Sequence, residues 1–167
     1  MLLKALRLIT LVLAALSLTM ESAHVLELPQ KLSYDAQTYT LVNGSLYKYF
    51  AAVGGVYQIG AIVMAFLLAL AVRHRRGAFA WTLSGALLLL GAFVAWLLVV
   101  APVNGQIAAA WQSQPDTVPM LWTQLRNRWE YGHAAGFVIQ LFGFAALLMS
   151  IIVEAPRFVR HVSAGSG

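Results

Sequence analysis

Residues 78–103 read AFAWTLSGALLLLGAFVAWLLVVAPV, a run of twenty-six residues without a charged side chain. An uncharged apolar run of this length indicates a transmembrane helix, since about twenty residues cross the hydrocarbon core of a bilayer. Residues 50–72 and 132–153 are comparable runs of twenty-three and twenty-two residues. Residues 8–20 form a shorter run, which reaches bilayer length when the helix is extended from Lys4 to His24. The chain therefore predicts four membrane-spanning helices.

The overall composition agrees with a membrane location. Of 167 residues, 60% are hydrophobic and 10% are charged, and the mean hydropathy is +0.76. Soluble domains carry about a quarter charged residues. An ordinary soluble globule and a disordered chain are thereby excluded. The chain has no cysteine, which excludes thiolate-ligated haem, cysteine-ligated iron–sulfur clusters and a thiol nucleophile.

We therefore expect an all-α fold, a four-helix transmembrane bundle that forms one domain over residues 1–167. The predicted spans are residues 4–28, 48–72, 78–101 and 121–154. Two outer loops, residues 29–47 and 102–120, are expected to cap one face.

In the first outer loop, Pro29 is expected to end the first helix, and a short hairpin or irregular segment to follow. The second loop begins at Pro102, and residues 107–114 are predicted to form a short interfacial helix anchored by Trp111. A cleaved signal peptide ending at Ala23 is an alternative for the first span. Because Glu21 would occupy its −3 position, where a small residue is needed, an uncleaved helix is favoured.

The basic residues predict the orientation. One end of the bundle carries a net charge of +6 and the other −1, which together give the formal +5 of the chain. Basic residues collect on the cytoplasmic side, so both termini are predicted to be cytoplasmic in a multi-pass protein of the inner cell membrane. The pI near 9.9 then reflects topology and contact with the lipid bilayer, and no nucleic-acid partner is expected. The basic residues assigned to this side are Lys4, Arg7, Arg73, Arg75, Arg76, Arg157 and Arg160.

Two histidines fall at the same predicted depth. His24 lies near the outer end of the first span and His133 near the outer end of the fourth, which runs antiparallel to the first. Residues three apart share a helix face, so Glu21, His24 and Glu27 line one stripe, while Glu130 and His133 line another. Ionisable groups at membrane depth usually face the bundle interior or a cavity. The two stripes are expected to face each other and form a site.

The residues alone leave several interpretations of this cluster open. His24, Glu27, Glu130 and His133 are candidate ligands for iron, copper or zinc, since imidazole and carboxylate groups suit all three metals. His24 and His133 are alternatively the axial ligands of haem b. In a purely structural interpretation, the histidines complete a network of ion pairs. A metal-free acid–base site is a further alternative. The acids of the network would be Glu21, Glu27 and Glu130, and its bases Arg126, Arg128 and Lys31.

Three short motifs carry a family resemblance: HVLELP at residues 24–29, PVN at residues 102–104 and RNRWEYGH at residues 126–133. In this order they resemble the anthrone oxygenase-like family of small four-helix integral membrane proteins, most of which have no assigned function. The resemblance implies an oxygenase that converts an anthrone to an anthraquinone, and hence a flat, lipophilic substrate reached from the bilayer. The positions that match the family pattern are Asn104, Trp129 and His133. Members often carry an arginine where this chain has Gly136, so the substrate is expected to differ.

The expected function is an integral membrane oxidoreductase, oxygenase-like, that acts on an anthrone- or quinol-like aromatic near the outer membrane face. A histidine there could accept the proton released on oxidation, because its pKa lies near physiological pH. The predicted catalytic residues are His24, His133, Glu130, Arg126 and Arg128. The predicted substrate-binding residues are Asn104, Trp129, Gln140 and Tyr57. The alternative functions are a non-catalytic accessory subunit of a larger membrane complex and a haem b electron-transfer protein. A second copy of this chain, in a homo-oligomer, or another membrane subunit is a candidate partner.

Overall fold

The computed structural model describes residues 1–47 and 49–154. The described residues form six α-helices and one 3-10 turn, with no strand among them. The helices are α1 Leu2–Leu32, α2 Ala36–Leu46, α3 Phe50–Ala71, α4 Arg76–Val99, α5 Ala101–Ser113 and α6 Val118–Ile152, and the turn is Pro115–Thr117. Among the predicted topology residues, Arg157 and Arg160 lie outside the described residues.

Four helical segments are long and apolar enough to cross a membrane: Leu2–Leu32, Phe50–Ala71, Arg76–Ser113 and Pro115–Ile152. The third runs from α4 through α5, and the fourth includes the 3-10 turn. The prediction of an all-α protein with four membrane-spanning helices is thereby confirmed.

The four long helices close into a ring. α1 packs against α3 and α6, and α4 packs against the same two helices from the other side. The shorter α2 packs on α6, while α5 packs on α4 and α6. α4 and α6 lie close together where two glycines face each other: a Cβ added to Gly85 would lie 2.9 Å from the carbonyl oxygen of Gly143. Small residues permit such close packing in membranes, where helix association depends on van der Waals contact.

Both segments predicted as outer loops are largely helical, which corrects the sequence-based expectation. Pro29 does not end the first helix, because α1 continues through it to Leu32. A proline inside a helix removes one backbone hydrogen bond, but here the final turn is held by Lys31, whose ammonium group is buried against Glu130.

No hairpin forms after α1, because α2 occupies residues 36–46. Asp35 caps this helix, since its carboxylate accepts a hydrogen bond from the backbone N–H of Thr38 at 2.7 Å. Its buried residues, Tyr39, Thr40 and Asn43, recur at helical spacing, so that one face packs against the bundle. In the second segment, Pro102 lies in the first turn of α5, where its missing N–H costs no hydrogen bond.

Charged side chains join three parts of the chain at one end of the bundle. Glu154, just after α6, forms ion pairs with Arg7 of α1 and with Arg75 of the α3–α4 turn, the latter at 3.1 Å. Burial alone would raise the pKa of Glu154, but the hydrogen bonds from the two arginines outweigh it and hold that pKa below its ordinary value. We call this the basic end, and the opposite end, where α2 and α5 lie, the capped end.

Candidate functional site

Two histidine rings lie against each other near the capped end. The ring centroids of His24 on α1 and His133 on α6 are 4.1 Å apart, and the ring planes are tilted by 34°. Both residues are buried, with 4% and 6% of their surface exposed. The structure therefore brings together the two side chains that the sequence placed at one depth.

Glu21 is the carboxylate partner of this pair. Its Oε2 lies 2.9 Å from Nδ1 of His133, and its side chain is largely buried. A carboxylate that accepts the Nδ1 proton leaves Nε2 as the free acceptor nitrogen of a neutral imidazole. Glu21 therefore orients His133 and selects its tautomer. Glu21 was not among the predicted catalytic residues, although the spacing Glu21-x-x-His24 placed it on the same stripe.

Aromatic rings enclose the histidine pair. The indole of Trp129 contacts both imidazoles through edge-on packing, at centroid distances of 4.9 Å to His24 and 4.4 Å to His133. Tyr47 and Phe50 also contact His24, at centroid distances of 4.6 Å and 5.5 Å. These rings hold the imidazoles in place and keep water from them.

A cavity of about 290 Å³ lies beside the histidines. Elements from the whole bundle line it: α1, α2, α3, α4, α5 and α6 each contribute a side chain. Its walls are largely aromatic, which suits a flat apolar ligand. The aromatic residues in its lining are Tyr47, Phe50, Phe93, Trp96, Trp122 and Trp129.

Three polar side chains meet at the deep end of this cavity. The Ser17 hydroxyl donates to the side-chain oxygen of Gln58 and also lies 3.0 Å from the side-chain oxygen of Gln140. The Gln58 amide nitrogen donates to the carbonyl of Leu89, also at 3.0 Å. Gln140 lies seven residues beyond His133 on α6, about 10 Å deeper at 1.5 Å per residue. This cluster forms the deep end of the cavity.

Glu130 belongs to a separate buried ion pair. Its Oε1 lies 2.8 Å from Nζ of Lys31 and accepts a hydrogen bond of 2.7 Å from the Tyr39 hydroxyl. The Lys31 ammonium also lies over the rings of Tyr47 and Trp129, at 4.5 Å and 4.4 Å. Burial, together with the hydrogen bond to Glu130, raises the pKa of Tyr39 far above its ordinary value, so its hydroxyl remains a donor. This confirms one pair of the structural interpretation, Glu130 with Lys31.

The predicted metal ligands are not brought into one cluster. Glu130 is held by Lys31 and Tyr39, and neither Glu27 nor Glu130 lines the cavity. Within residues 1–47 and 49–154, no three His, Asp or Glu side chains are grouped so as to hold a metal ion. The predicted ligand set therefore does not fit a metal in this arrangement.

The histidine pair does not fit a haem either. Two axial imidazoles bind the iron from opposite faces of a planar macrocycle. With their centroids 4.1 Å apart and their planes only 34° from parallel, His24 and His133 leave no room for a macrocycle between them. The arrangement suits acid–base chemistry on a ligand in the adjacent cavity instead.

The predicted substrate-binding residues divide into two groups. Asn104, Trp129 and Gln140 line the cavity, and the side-chain oxygen of Asn104 accepts a hydrogen bond of 2.8 Å from the indole N–H of Trp129. Tyr57 is not part of the lining, to which α3 contributes Phe50, Ala51, Gly54, Gly55 and Gln58.

The two predicted catalytic arginines do not line the cavity. Arg126 donates to the backbone carbonyl of Tyr34 at 2.9 Å. Arg128 donates to the carbonyls of Leu98 and Val99, both at 3.1 Å, at the C-terminal end of α4. The last carbonyls of a helix have no partner within it, and a guanidinium supplies one. Both arginines therefore stabilise connections between helices at the capped end, Arg126 the one between α1 and α2 and Arg128 the one between α4 and α5.

Sequence reasoning left several lining residues unassigned. Asn43 and Tyr47 fell in the predicted outer loop of residues 29–47, so their side chains could not be given a direction. Gln58, inside the predicted span of residues 48–72, forms an interhelical hydrogen bond with Ser17. The signal for Asn43 was its spacing of four residues from Tyr39, which becomes informative only once the segment is known to be helical.

Comparison of the chain with family models, with curated proteins and with solved structures gave no match. The likeness to the anthrone oxygenase-like family therefore stays a prediction from three short motifs.

Proposed function

We propose that this protein is an integral membrane oxygenase that oxidises a flat, lipophilic, anthrone- or quinol-like aromatic in the cavity beside His24 and His133. The observation that carries the proposal is the position of a carboxylate-oriented imidazole on the wall of an aromatic-lined cavity. The motif resemblance supports the same substrate class.

The size of the cavity suits such a ligand. An apolar cavity of about 150 Å³ accepts benzene, and the cavity here measures about 290 Å³. Two or three fused rings would occupy it. Six aromatic side chains line its walls, and they offer flat faces and edges to a flat ligand.

His133 is the proposed general base. Its Nε2 takes a proton from the methylene carbon that lies between the two aromatic rings of an anthrone, and Glu21 stabilises the imidazolium that forms. Dioxygen is the oxidant. Both methylene hydrogens and one atom of dioxygen leave as water, while the other oxygen atom becomes the new carbonyl of the anthraquinone. His24 packs against the charged ring and shields it from water.

The membrane location follows from the four apolar helices. We propose that the basic end faces the cytoplasm of the inner cell membrane, because Arg7 and Arg75 lie there. The cavity, near the capped end, is then open to substrates dissolved in the outer leaflet.

The proposal is tested by turnover of 1,8-dihydroxyanthrone with the detergent-purified protein. Dioxygen uptake and anthraquinone absorbance are recorded together, against protein-free micelles that give the spontaneous rate. We expect one dioxygen consumed for each anthraquinone formed, at a rate that falls about a hundredfold or more in His133→Gln.

His74→Gln is the matched control, because His74 is an exposed histidine at the basic end. Equal rates for the wild type, His133→Gln and protein-free micelles would overturn the proposal. If the protein also co-purified with a stable membrane partner, the accessory-subunit alternative would be favoured instead.

A further inference from the structure

Polar side chains lie at both ends of the cavity, but only those at the deep end contact one another. There, the Ser17 hydroxyl lies against the side-chain oxygens of both Gln58 and Gln140. At the capped end, the side-chain oxygen of Asn43 and the hydroxyl of Tyr47 have no hydrogen-bond partner among the described residues. The amide nitrogen of Asn43 interacts with the hydroxyl oxygen of Tyr39. Asn43 and Tyr47 both line the cavity.

Bulk water does not satisfy the free acceptor of Asn43, because only 7% of the residue's surface is exposed. A buried acceptor left without a hydrogen-bond partner destabilises the folded protein. Its neighbour one turn earlier, Tyr39, gives its hydroxyl hydrogen to Glu130, so that hydrogen is not available to Asn43 Oδ1. The free acceptor of Asn43 therefore belongs to the cavity.

Tyr47 contributes the second free group. Its ring is held from two sides, by His24 at 4.6 Å and by the Lys31 ammonium at 4.5 Å. These contacts fix the ring and leave the hydroxyl, which both donates and accepts, with no partner among the described residues. Asn43 Oδ1 and the Tyr47 hydroxyl together form an acceptor and a donor at one end of an otherwise aromatic cavity.

We propose that the capped end of the cavity is a subsite for a neutral hydroxyl group on the aromatic ligand. The ligand hydroxyl donates to Asn43 Oδ1 and accepts from the Tyr47 hydroxyl, while its rings lie among Phe50, Phe93 and Trp96. Asn43 and Tyr47 are then residues that determine specificity and orientation. The inference rests on the proposed function for the identity of the cavity ligand, but it concerns binding alone.

A neutral group fits this subsite better than an anion. The nearby cation, Lys31, is already paired with Glu130 at 2.8 Å. A ligand hydroxyl can donate one hydrogen bond to the amide oxygen and accept another from the phenol hydroxyl, so it matches both groups. A methyl ether in place of that hydroxyl keeps the acceptor and loses the donor, which leaves Asn43 Oδ1 without a partner.

The test is a calorimetric titration of the detergent-purified full chain with 2-naphthol and with 2-methoxynaphthalene. The quantity compared is the ratio of the two dissociation constants in each protein variant, because partition of the probes into micelles is the same for all variants. In the wild type we expect 2-naphthol to bind more tightly. In Asn43→Leu the ratio should fall about tenfold, the factor that corresponds to one good hydrogen bond.

Tyr47→Phe removes only the hydroxyl and should weaken both probes about fivefold, because each of them offers an oxygen acceptor. The Tyr47→Phe variant still tests the subsite if Asn43→Leu fails to fold. Ser45→Ala is the control, an exposed hydroxyl on the same helix that bonds to its own backbone. An unchanged ratio in Asn43→Leu, unchanged affinities in Tyr47→Phe, or no binding of either probe to the wild type would overturn the inference.

The two proposals fail in different ways. Anthrone oxidation with unchanged binding in the Asn43 and Tyr47 variants overturns the hydroxyl subsite alone. The expected binding changes without anthrone oxidation overturn the proposed oxygenase and leave the subsite standing.

Discussion

The imidazoles of His24 and His133 pack ring to ring, 4.1 Å between centroids, although they lie on the first and last helices of the chain. Trp129 closes over both rings, and Glu21 bonds to one of them. Each end of the bundle has its own charged cluster, Lys31 with Glu130 at the capped end and Arg7 with Glu154 at the basic end.

The Glu21–His133 contact is expected to control turnover. Glu21→Gln keeps the size of the side chain but removes the charge that selects the His133 tautomer and stabilises its protonated form. We expect kcat for anthrone oxidation to fall at least about tenfold, with a smaller effect on KM, since carboxylates in this role can contribute up to about ten-thousandfold. Asp116→Asn, an exposed acid-to-amide change, is the control. An unchanged kcat in Glu21→Gln would remove Glu21 from the mechanism.

The buried Lys31–Glu130 pair is expected to dominate stability at the capped end. Lys31→Met leaves the Glu130 carboxylate buried without its cation, which should destabilise the protein by about 3–5 kcal/mol. The double variant Lys31→Met with Glu130→Met removes both charges and should recover most of that loss. Unfolding in mixed detergent micelles measures both, with exposed Lys4→Met as the control. A double variant no more stable than Lys31→Met would contradict this account of the pair.

Gly85 is expected to tolerate no side chain. A Cβ there would lie 2.8 Å from Leu147 and 2.9 Å from a backbone oxygen of α6, so Gly85→Ala should push α4 and α6 apart and cost about 1–3 kcal/mol. Gly91→Ala, on the same helix, has no atom within 4 Å of the added Cβ and is the matched control. Thermal unfolding in detergent compares the two, and equal melting temperatures would show that the close contact is not needed.

The ion pairs of Glu154 are expected to make the basic end sensitive to acid. Because the folded state lowers the pKa of Glu154, its stabilising effect is present at neutral pH. The effect is lost as the pH falls from the ordinary carboxyl pKa through the lowered one. The melting temperature of Glu154→Gln should therefore lie below that of the wild type at neutral pH and approach it in acid. A difference that stays constant with pH would mean that these ion pairs do not contribute.

The sequence allowed the helices to be predicted more fully than the site. Uncharged runs revealed the four spans, and the i, i+3 spacing of Glu21, His24 and Glu27 revealed the polar stripe. The same spacing could not tell which base each acid would contact. Glu130 was assigned to the histidine site, whereas Lys31, which α1 reaches only by continuing past Pro29, takes that carboxylate.

What the sequence by itself determined is that the protein lies in a membrane and crosses it with four helices. Burial of apolar side chains in lipid and the need to satisfy every backbone hydrogen bond leave helices as the solution for such runs. The tertiary structure alone decided which side chains share the cavity. The side chains that Glu21, Glu130 and Asn43 contact depend on how each helix is rotated about its axis and on where α2 packs against the bundle. Both are set by contacts between residues far apart in the chain, and local periodicity carries no information about them.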